Sequence, residues 1–331
     1  MPRRINWESQ IGRRMQLRQL HVFMAVIQHG SLAMAARQLG VSTPTVSEVI
    51  ADLEHVVGVR LLDRSAKGVE PTRYGHTLHQ RALIAFDELK QSIADIETLS
   101  DPTAGEIRIA CPLGIAFSIV PRLFERFVNE NPKVVLHFDE VATSATTSDL
   151  RGLRERRYDL ILGRGGLSTH EAPAKDLEIE TLFNDRLVIV AGAESKWVRR
   201  RKIDLADLVD EPWIMQEAET GNYRLLARAF QARGLPLPNA NLVTLSMSVI
   251  THFLDRGPYL TAIPYSVAFC SSLRALPVDL PIAAWPVNVV TLRRRILSPV
   301  AERFIRCARE VVRPLGERPA RSARFGAPTS S

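Results

Sequence analysis

Apolar residues near the start of the chain recur at helical spacing. Leu17, Leu20, Met24 and Ile27 lie three or four apart, Phe23 widens the stripe, and Gly30 ends it, which predicts an amphipathic helix. Ser31 can cap a second helix whose inner face is Leu32, Ala35, Ala36 and Leu39, with Gly40 supplying the turn. Ser42 caps a third, with Pro44 in its first turn and Val46, Val49, Ile50, Leu53 and Val57 facing inward. Three short helices joined this way predict a helix-turn-helix unit, although a plain three-helix bundle shares the pattern. Gly58 to Pro71 then reads as a strand, a turn at Ala66–Gly68 and a return, which suits a two-stranded wing. After Thr72 a long helix is expected from Arg73 to Leu99. Its stripe of Leu78, Ala82, Ala85, Leu89, Ile93, Ile96 and Leu99 has no evident partner and suggests self-association, with packing on its own winged domain as the alternative.

Beyond the linker Ser100–Gly105 the period changes. EIRIAC, VVLHFDE and YDLILGR read as strands, alternating with helices in IVPRLFERFVNEN and TSATTSDLRGLRERR. The alternation resumes in RLVIVAG, WIMQ, GNYRLLARAFQARG, NLVTLS, MSVITHFLDRG and YLTAIP, and a last helix is expected from Pro299 to Val312. This order predicts parallel sheets in two α/β lobes. The fold class expected is therefore α+β and multi-domain.

Composition narrows the class. The chain has 331 residues, 46% hydrophobic and 24% charged, as folded non-membrane proteins do. No run is long and apolar enough to span a bilayer, and the N-terminus lacks a signal-peptide core. Cys111, Cys270 and Cys307 are far apart, without a CxxC, which points to a reducing cytoplasm rather than a disulfide or zinc framework. The net charge of +7 permits a nucleic-acid partner without demonstrating one. Part of it sits in the ends, at Arg3, Arg4, Arg13 and Arg14 and in the Arg-rich stretch after Arg313. Met15 offers an alternative start. No HExxH, GxSxG or nucleophile–base pairing is present, so no enzyme, metal or cofactor is expected. His21, His137 and His252 are read as packing or surface residues. Gly163, Gly165 and Gly166 lack the GK[ST] of a phosphate loop and are read as a hinge between lobes.

The stretch from Phe23 to Gly75 resembles the LysR-type transcriptional regulators. It carries Gly30-Ser31, Ala35-Ala36-x-x-Leu39, Ser42-x-Pro-x-Val-Ser47, Ile50-x-x-Leu53-Glu54, Gly58, Leu61-Leu62-x-Arg64 and Pro71-Thr72-x-x-Gly75. A weaker likeness continues through VPRLFERFVNENPKVVL, Tyr158-Asp159-Leu160, Arg256-Gly257 and Ser298-Pro299. The resemblance implies a winged helix-turn-helix at 15–72 behind a flexible extension at 1–14, and a dimerising linker helix and hinge at 73–104. It also implies a two-lobed effector domain of periplasmic-binding-protein type, with lobe I at 105–164 and 267–312 and lobe II at 165–266, and a disordered basic tail at 313–331. The partners it implies are a double-stranded DNA operator, a small-molecule effector, a second copy in a dimer or tetramer, and RNA polymerase.

From Val41 to His55 there is no Lys or Arg, while Glu48, Asp52 and Glu54 are acidic. Phosphate contacts set affinity and base contacts set sequence preference, so separate elements can carry the two tasks. Arg18, Arg37, Arg60, Arg64, Lys67 and Arg73 are the candidate phosphate contacts. Ser31, Ser42, Thr43, Pro44, Thr45, Ser47, Glu48 and Thr72 complete the candidate DNA-binding set. A helix N-terminus can meet a phosphate through its free N–H groups. Relatives often carry Gln and a basic residue where this chain has Thr43 and Glu48, so its target sequence is expected to differ. Effector candidates, implied mainly by the resemblance, sit at strand ends and helix starts. They are Pro112, Gly114 and Ser118, then Thr143, Ser144, Thr146 and Thr147, and finally Gln216, Ser246 and Ser248, with simple helix capping as the competing reading. Such groups suit an organic acid or a sugar-like compound.

Glu48 can accept from a cytosine amino group, or it can be a solvated or Arg-paired flank carboxylate. As a base reader, Glu48→Ala shifts preference at one operator position in a binding selection on randomised DNA and leaves non-specific affinity nearly unchanged. Unaltered preference assigns it to the flank.

Overall fold

A computed structural model describes residues 14–65, 68–101, 103–141, 147–165, 174–271 and 273–316. The chain divides into two compact units, one ending at Ile93 and one beginning at Ala94. In the first, α1 (Leu17–His29), α2 (Leu32–Leu39) and α3 (Thr43–Val57) form along the expected stripes. Phe23, Val26, Ala35, Val46, Ile50 and Leu53 are fully buried, each large side chain contributing roughly 1.5–3 kcal/mol by leaving water. The small side chains of Ala35 and Ala36 let α2 lie close to its neighbours. Strands β1 (Leu62–Ser65) and β2 (Gly68–Pro71) pair antiparallel as the wing, and the Val69 N–H donates to the Gly30 carbonyl at 2.9 Å.

Two local devices join this wing to the helices. Glu54 Oε1 accepts the N–H groups of Leu61 and Leu62 at 2.7 and 3.1 Å, satisfying donors where the chain enters β1. Thr72 caps α4 (Arg73–Ser100): its hydroxyl accepts from the Gly75 N–H at 3.1 Å and donates to the Arg60 carbonyl at 2.9 Å. Gly75 is needed there, because a Cβ would lie 2.0 Å from the Leu61 carbonyl oxygen.

The second unit holds two five-stranded sheets. In lobe I, β3 (Gly105–Pro112) lies parallel to β4 (Val134–Val141) and β5 (Leu160–Arg164). Helices α5 (Leu113–Glu130) and α6 (Thr147–Arg154) belong to this lobe. Two further strands, β6 (Leu177–Asp185) and β12 (Trp285–Leu292), complete its sheet in the order β4-β3-β5-β12-β6. Lobe II has β7 (Leu187–Ala191), β8 (Trp213–Met215), β9 (Ala240–Val243), β10 (Leu260–Pro264) and β11 (Arg274–Ala275), with α7 (Gly221–Ala232) and α8 (Met247–Arg256) on it. A short α9 (Tyr265–Phe269) follows β10, and α10 (Pro299–Gly316) closes the chain's described part against lobe I. Phe127 and Phe304 meet edge-on at 5.2 Å in the lobe I core, as Trp213 and Phe230 do at 5.9 Å in lobe II.

Several expectations need correcting. The sheets are mixed, since β12 runs antiparallel to β5 and β6, and β10 antiparallel to β7. The chain passes between lobes just after Asp185 and again between Ala275 and Trp285, not at 165 and 267, because β6 pairs in lobe I and β11 in lobe II. Gly163 and Gly165 consequently lie within lobe I and form no hinge; Gly166 is outside the described residues. The tail expectation fails at 313–316, which continue α10 because Val312 and Leu315 are buried. Residues 1–13 and 317–331 lie outside the described part.

Removing the Glu54 carboxylate strands two donors at the buried residues Leu61 and Leu62. Glu54→Ala is expected to destabilise the N-terminal unit by about 2 kcal/mol and Glu54→Gln, which keeps an acceptor, by less. Urea unfolding followed by circular dichroism measures both; indistinguishable midpoints for the two variants and the wild type contradict this role.

Candidate functional site

On the N-terminal unit, the start of α3 offers the expected surface. The Ser42 hydroxyl accepts from the Thr45 N–H at 3.2 Å and bonds the Thr45 hydroxyl at 2.8 Å. Those two side chains therefore serve the cap first. Thr43, Pro44 and Glu48 are exposed, and Glu48 forms no ion pair among the described residues. Arg64 reaches from β1 to α3, its Nη1 donating to the Ser47 hydroxyl at 3.1 Å, so the wing cation stands beside the recognition helix. Arg18, Arg37, Arg60 and Arg73 are exposed, and Arg73 lies over the Tyr74 ring at 4.6 Å. Ser31 is the backbone cap of α2 without a side-chain bond. Thr72 has its hydroxyl committed to the cap of α4 and to Arg60, which leaves it a positioning residue. Lys67 lies outside the described residues.

In the second unit a cavity of about 700 Å³ opens between the lobes. Lobe I contributes Pro112, Leu113, Gly114, Arg164 and Trp285; lobe II contributes Gln216, Thr220, Gly221, Asn222, Arg224, Arg228, Met247 and Ile263. Of the sequence candidates, Pro112, Gly114 and Gln216 line it. Ser118 does not: it is buried in α5, and its hydroxyl donates to the Gly114 carbonyl at 2.8 Å. Ser246 caps α8 by accepting from the Val249 N–H at 3.5 Å, and it bonds Ser248 at 2.9 Å. Ser246 serves as the cap with Ser248 bonded to it, and neither lines the cavity. Thr143, Ser144 and Thr146 fall outside the described residues. Thr147 begins α6, and its side chain is not among those described.

Arginine is what sequence reasoning missed. Arg164 ends β5 with its side chain 19% exposed. Its Nε and Nη2 are buried without a hydrogen-bond partner among the described residues. Burial pulls this guanidinium below its ordinary pKa, while Asp185 and Cys111 act in the opposite sense. The nearest carboxylate oxygen, Asp185 Oδ2, is 4.0 Å from Nη2 and is already occupied. Asp185 Oδ1 accepts the Arg186 and Ser266 N–H groups at 2.9 and 3.1 Å, and Oδ2 accepts the Ser266 hydroxyl at 2.6 Å. Asp185 thereby ties the first interlobe crossover to α9 and neutralises Arg164 only through space. Gly114 makes the room, since a Cβ there would come within 2.8 Å of Arg164 Nη2. Arg224 and Arg228, one turn apart on α7, are exposed and form no ion pair among the described residues. A cation ending an apolar strand was a usable signal for Arg164. Nothing in the spacing of α7 showed that its arginines border a cavity made with the other lobe.

Among the described residues no Asp or Glu lines the cavity. The thiol of Cys111 is buried and pushed upward by burial, with Glu140 acting in the same direction, so it is a poor nucleophile. His21 packs on Phe86, His137 lies 3.3 Å from Glu106, and His252 contacts Arg256. Among the described residues no three His, Cys, Asp or Glu side chains gather as a metal site.

Comparison with known proteins fits this layout. Residues 17–76 match the family model described as bacterial regulatory helix-turn-helix protein, lysR family, and residues 100–313 match the LysR substrate binding domain. The regulator TdcA of Escherichia coli K12 is 30% identical over 245 residues, covering 74% of this chain and 76% of TdcA. A full-length OxyR variant from Pseudomonas aeruginosa aligns with a TM-score of 0.60 at 19% identity, covering 90% of this chain and 95% of its own. CbnR complexed with its target DNA aligns with a TM-score of 0.58 at 20% identity, covering 90% and 100%. At those identities the two structures speak for the fold alone.

Asp185→Asn leaves Arg164 buried without its counter-charge and is expected to destabilise the second unit by about 3 kcal/mol. Arg164→Gln in the same chain should restore part of that loss. Urea unfolding of the two single variants and the double variant measures the coupling; strictly additive losses contradict it.

Proposed function

The chain belongs to the LysR family of bacterial helix-turn-helix regulators, and we propose that it controls transcription at a specific operator in response to a small acid bound between its lobes. The single observation that carries the ligand reading is a cavity bordered, among the described residues, by three arginines and no acid. The starts of α5, α7 and α8 also open onto it through Gly114, Gly221 and Met247, and none has an acidic residue in its first turn. Each helix start adds a partial positive charge of about half a unit. An anion is the ligand such a field favours, which narrows the earlier choice between an organic acid and a sugar-like compound.

The exposed arginines around α3 support the DNA half. Their task is phosphate contact, which leaves Thr43, Pro44 and Glu48 free for base edges. CbnR has been solved on its target DNA, which favours the same docking of the winged head here. Self-association through α4 is supported by its open apolar stripe, where Leu89, Ile93 and Ile96 are 43%, 59% and 64% exposed. Three such side chains in water are costly for a monomer. A dimer, or a tetramer built from dimers, covers them and sets two heads against two half-sites. Acting with RNA polymerase in the cytoplasm is the setting this reading implies. No helix among the described residues is long and apolar enough to cross a membrane.

Binding of the full chain to a library of genomic fragments tests the regulator reading. Enrichment of a defined sequence is expected, and equal affinity for random fragments refutes it. On the enriched site, Arg64→Ala and Arg73→Ala should each weaken binding and lower the salt slope by about one. A changed base preference with an unchanged slope contradicts their assignment to phosphates.

A further inference from the structure

Charge inside the cleft is unevenly distributed, and its distribution describes a ligand. Arg164 is the inner cation, held at the end of β5 in lobe I with buried Nε and Nη2 donors that no described residue accepts. Arg224 and Arg228 form a second positive group on α7 of lobe II. Both side chains are on one helix face, about 6 Å apart along the axis, and both are exposed and free of ion pairs among the described residues. Apolar side chains share the same cavity, chiefly Trp285, Ile263, Leu225 and Met247.

We propose that the effector is an organic diacid with an apolar frame, one acidic group taken by Arg164 in lobe I and the other by Arg224 and Arg228 in lobe II. The proposal rests on the anionic reading given above and makes it specific. A guanidinium grips a carboxylate through two parallel N–H bonds, so Arg164 can fill with ligand oxygens the donors that Asp185 leaves open. Asp185 keeps its own partners on Ser266 and Arg186 throughout, and the interlobe crossover stays fixed while the ligand binds. A single-headed acid satisfies one arginine group and leaves the other facing an apolar cleft. A two-headed acid engages both lobes at once, which favours their closed arrangement over any other they adopt.

Crystals of the full chain soaked in selenate test this directly, because anomalous scattering locates each anion whatever the natural effector's size. Two selenates per cleft are expected, one lost in Arg164→Gln and the other in Arg224→Gln/Arg228→Gln. Calorimetry supplies a second measurement, on a ladder of α,ω-dicarboxylates of increasing length against monocarboxylates of the same lengths. Dicarboxylates should show a length optimum and bind at least roughly tenfold tighter, the value of one added charge-assisted contact. A single cleft selenate, with mono- and dicarboxylates binding equally, leaves the anionic reading standing and overturns the diacid. An empty cleft under selenate overturns both. The arginines of α7 are exposed, so their variants separate lost binding from lost folding.

Discussion

Arg164 ends a buried strand with most of its side chain out of water, next to a carboxylate already saturated by other donors. Desolvating a guanidinium costs several kcal/mol unless its charge is compensated and its N–H groups find acceptors. Here Asp185 supplies the charge from 4.0 Å, and no described residue supplies acceptors to Nε and Nη2. Much of the second unit is arranged so that this situation persists. Gly114 clears the space, Ser266 and Arg186 hold Asp185 in place, and the crossover between lobes passes through that same residue. The protein retains a buried cation in a cavity that no acid lines among the described residues, and an anionic ligand is the species that would complete it.

The N-terminal unit solves a related problem in the other direction. A recognition helix without cations is presented to a polyanion, and the surrounding elements carry the positive charge. The three acids of α3 differ in use. Glu54 is internal, its oxygen accepting from Leu61 and Leu62 to anchor the wing, while Glu48 and Asp52 are exposed. Arg64, bonded to Ser47, brings the wing's cation alongside the reading face. In the proposed docking, affinity and selectivity fall on neighbouring but separate groups.

Legibility followed the physics of local pattern. The helices of the head were readable because apolar residues repeat at three and four and because Ser42 and Thr72 are competent caps. Central strands were readable from their apolar residues, Leu160–Leu162 as a short continuous run and Ile107–Cys111 as one interrupted only by Arg108. β6 was missed because it is an edge strand with Glu178 and Glu180 interleaved among its apolar positions. β12 was missed because Pro286 and Asn288 interrupt it. In the fold Pro286 sits near its start, and Asn288 is satisfied by Thr181 and the Gly165 carbonyl at 2.9 and 3.0 Å. With those two strands unseen, the crossovers were displaced. In the cleft, Pro112, Gly114 and Gln216 were found as strand ends and helix starts. Ser118, Ser246 and Ser248 do not line the cavity because their hydroxyls serve their own helices. Ser118 donates to the Gly114 carbonyl, Ser246 is a cap and Ser248 its partner, and ligand binding asks for the same hydroxyls. Arg224 and Arg228 became visible only when two lobes distant in sequence came together.

The central claim is that Arg164 gives the cleft its affinity for anions. The unfolding midpoint of the second unit in sulfate, compared with chloride at equal ionic strength, tests it most directly. Sulfate stabilises proteins generally by exclusion from their surface, so the informative quantity is the difference between the wild type and Arg164→Gln. Specific binding adds a stabilisation that grows with anion concentration over its dissociation constant. The account predicts a clearly larger sulfate-induced rise in the wild type than in the variant. Equal rises in both proteins would contradict it.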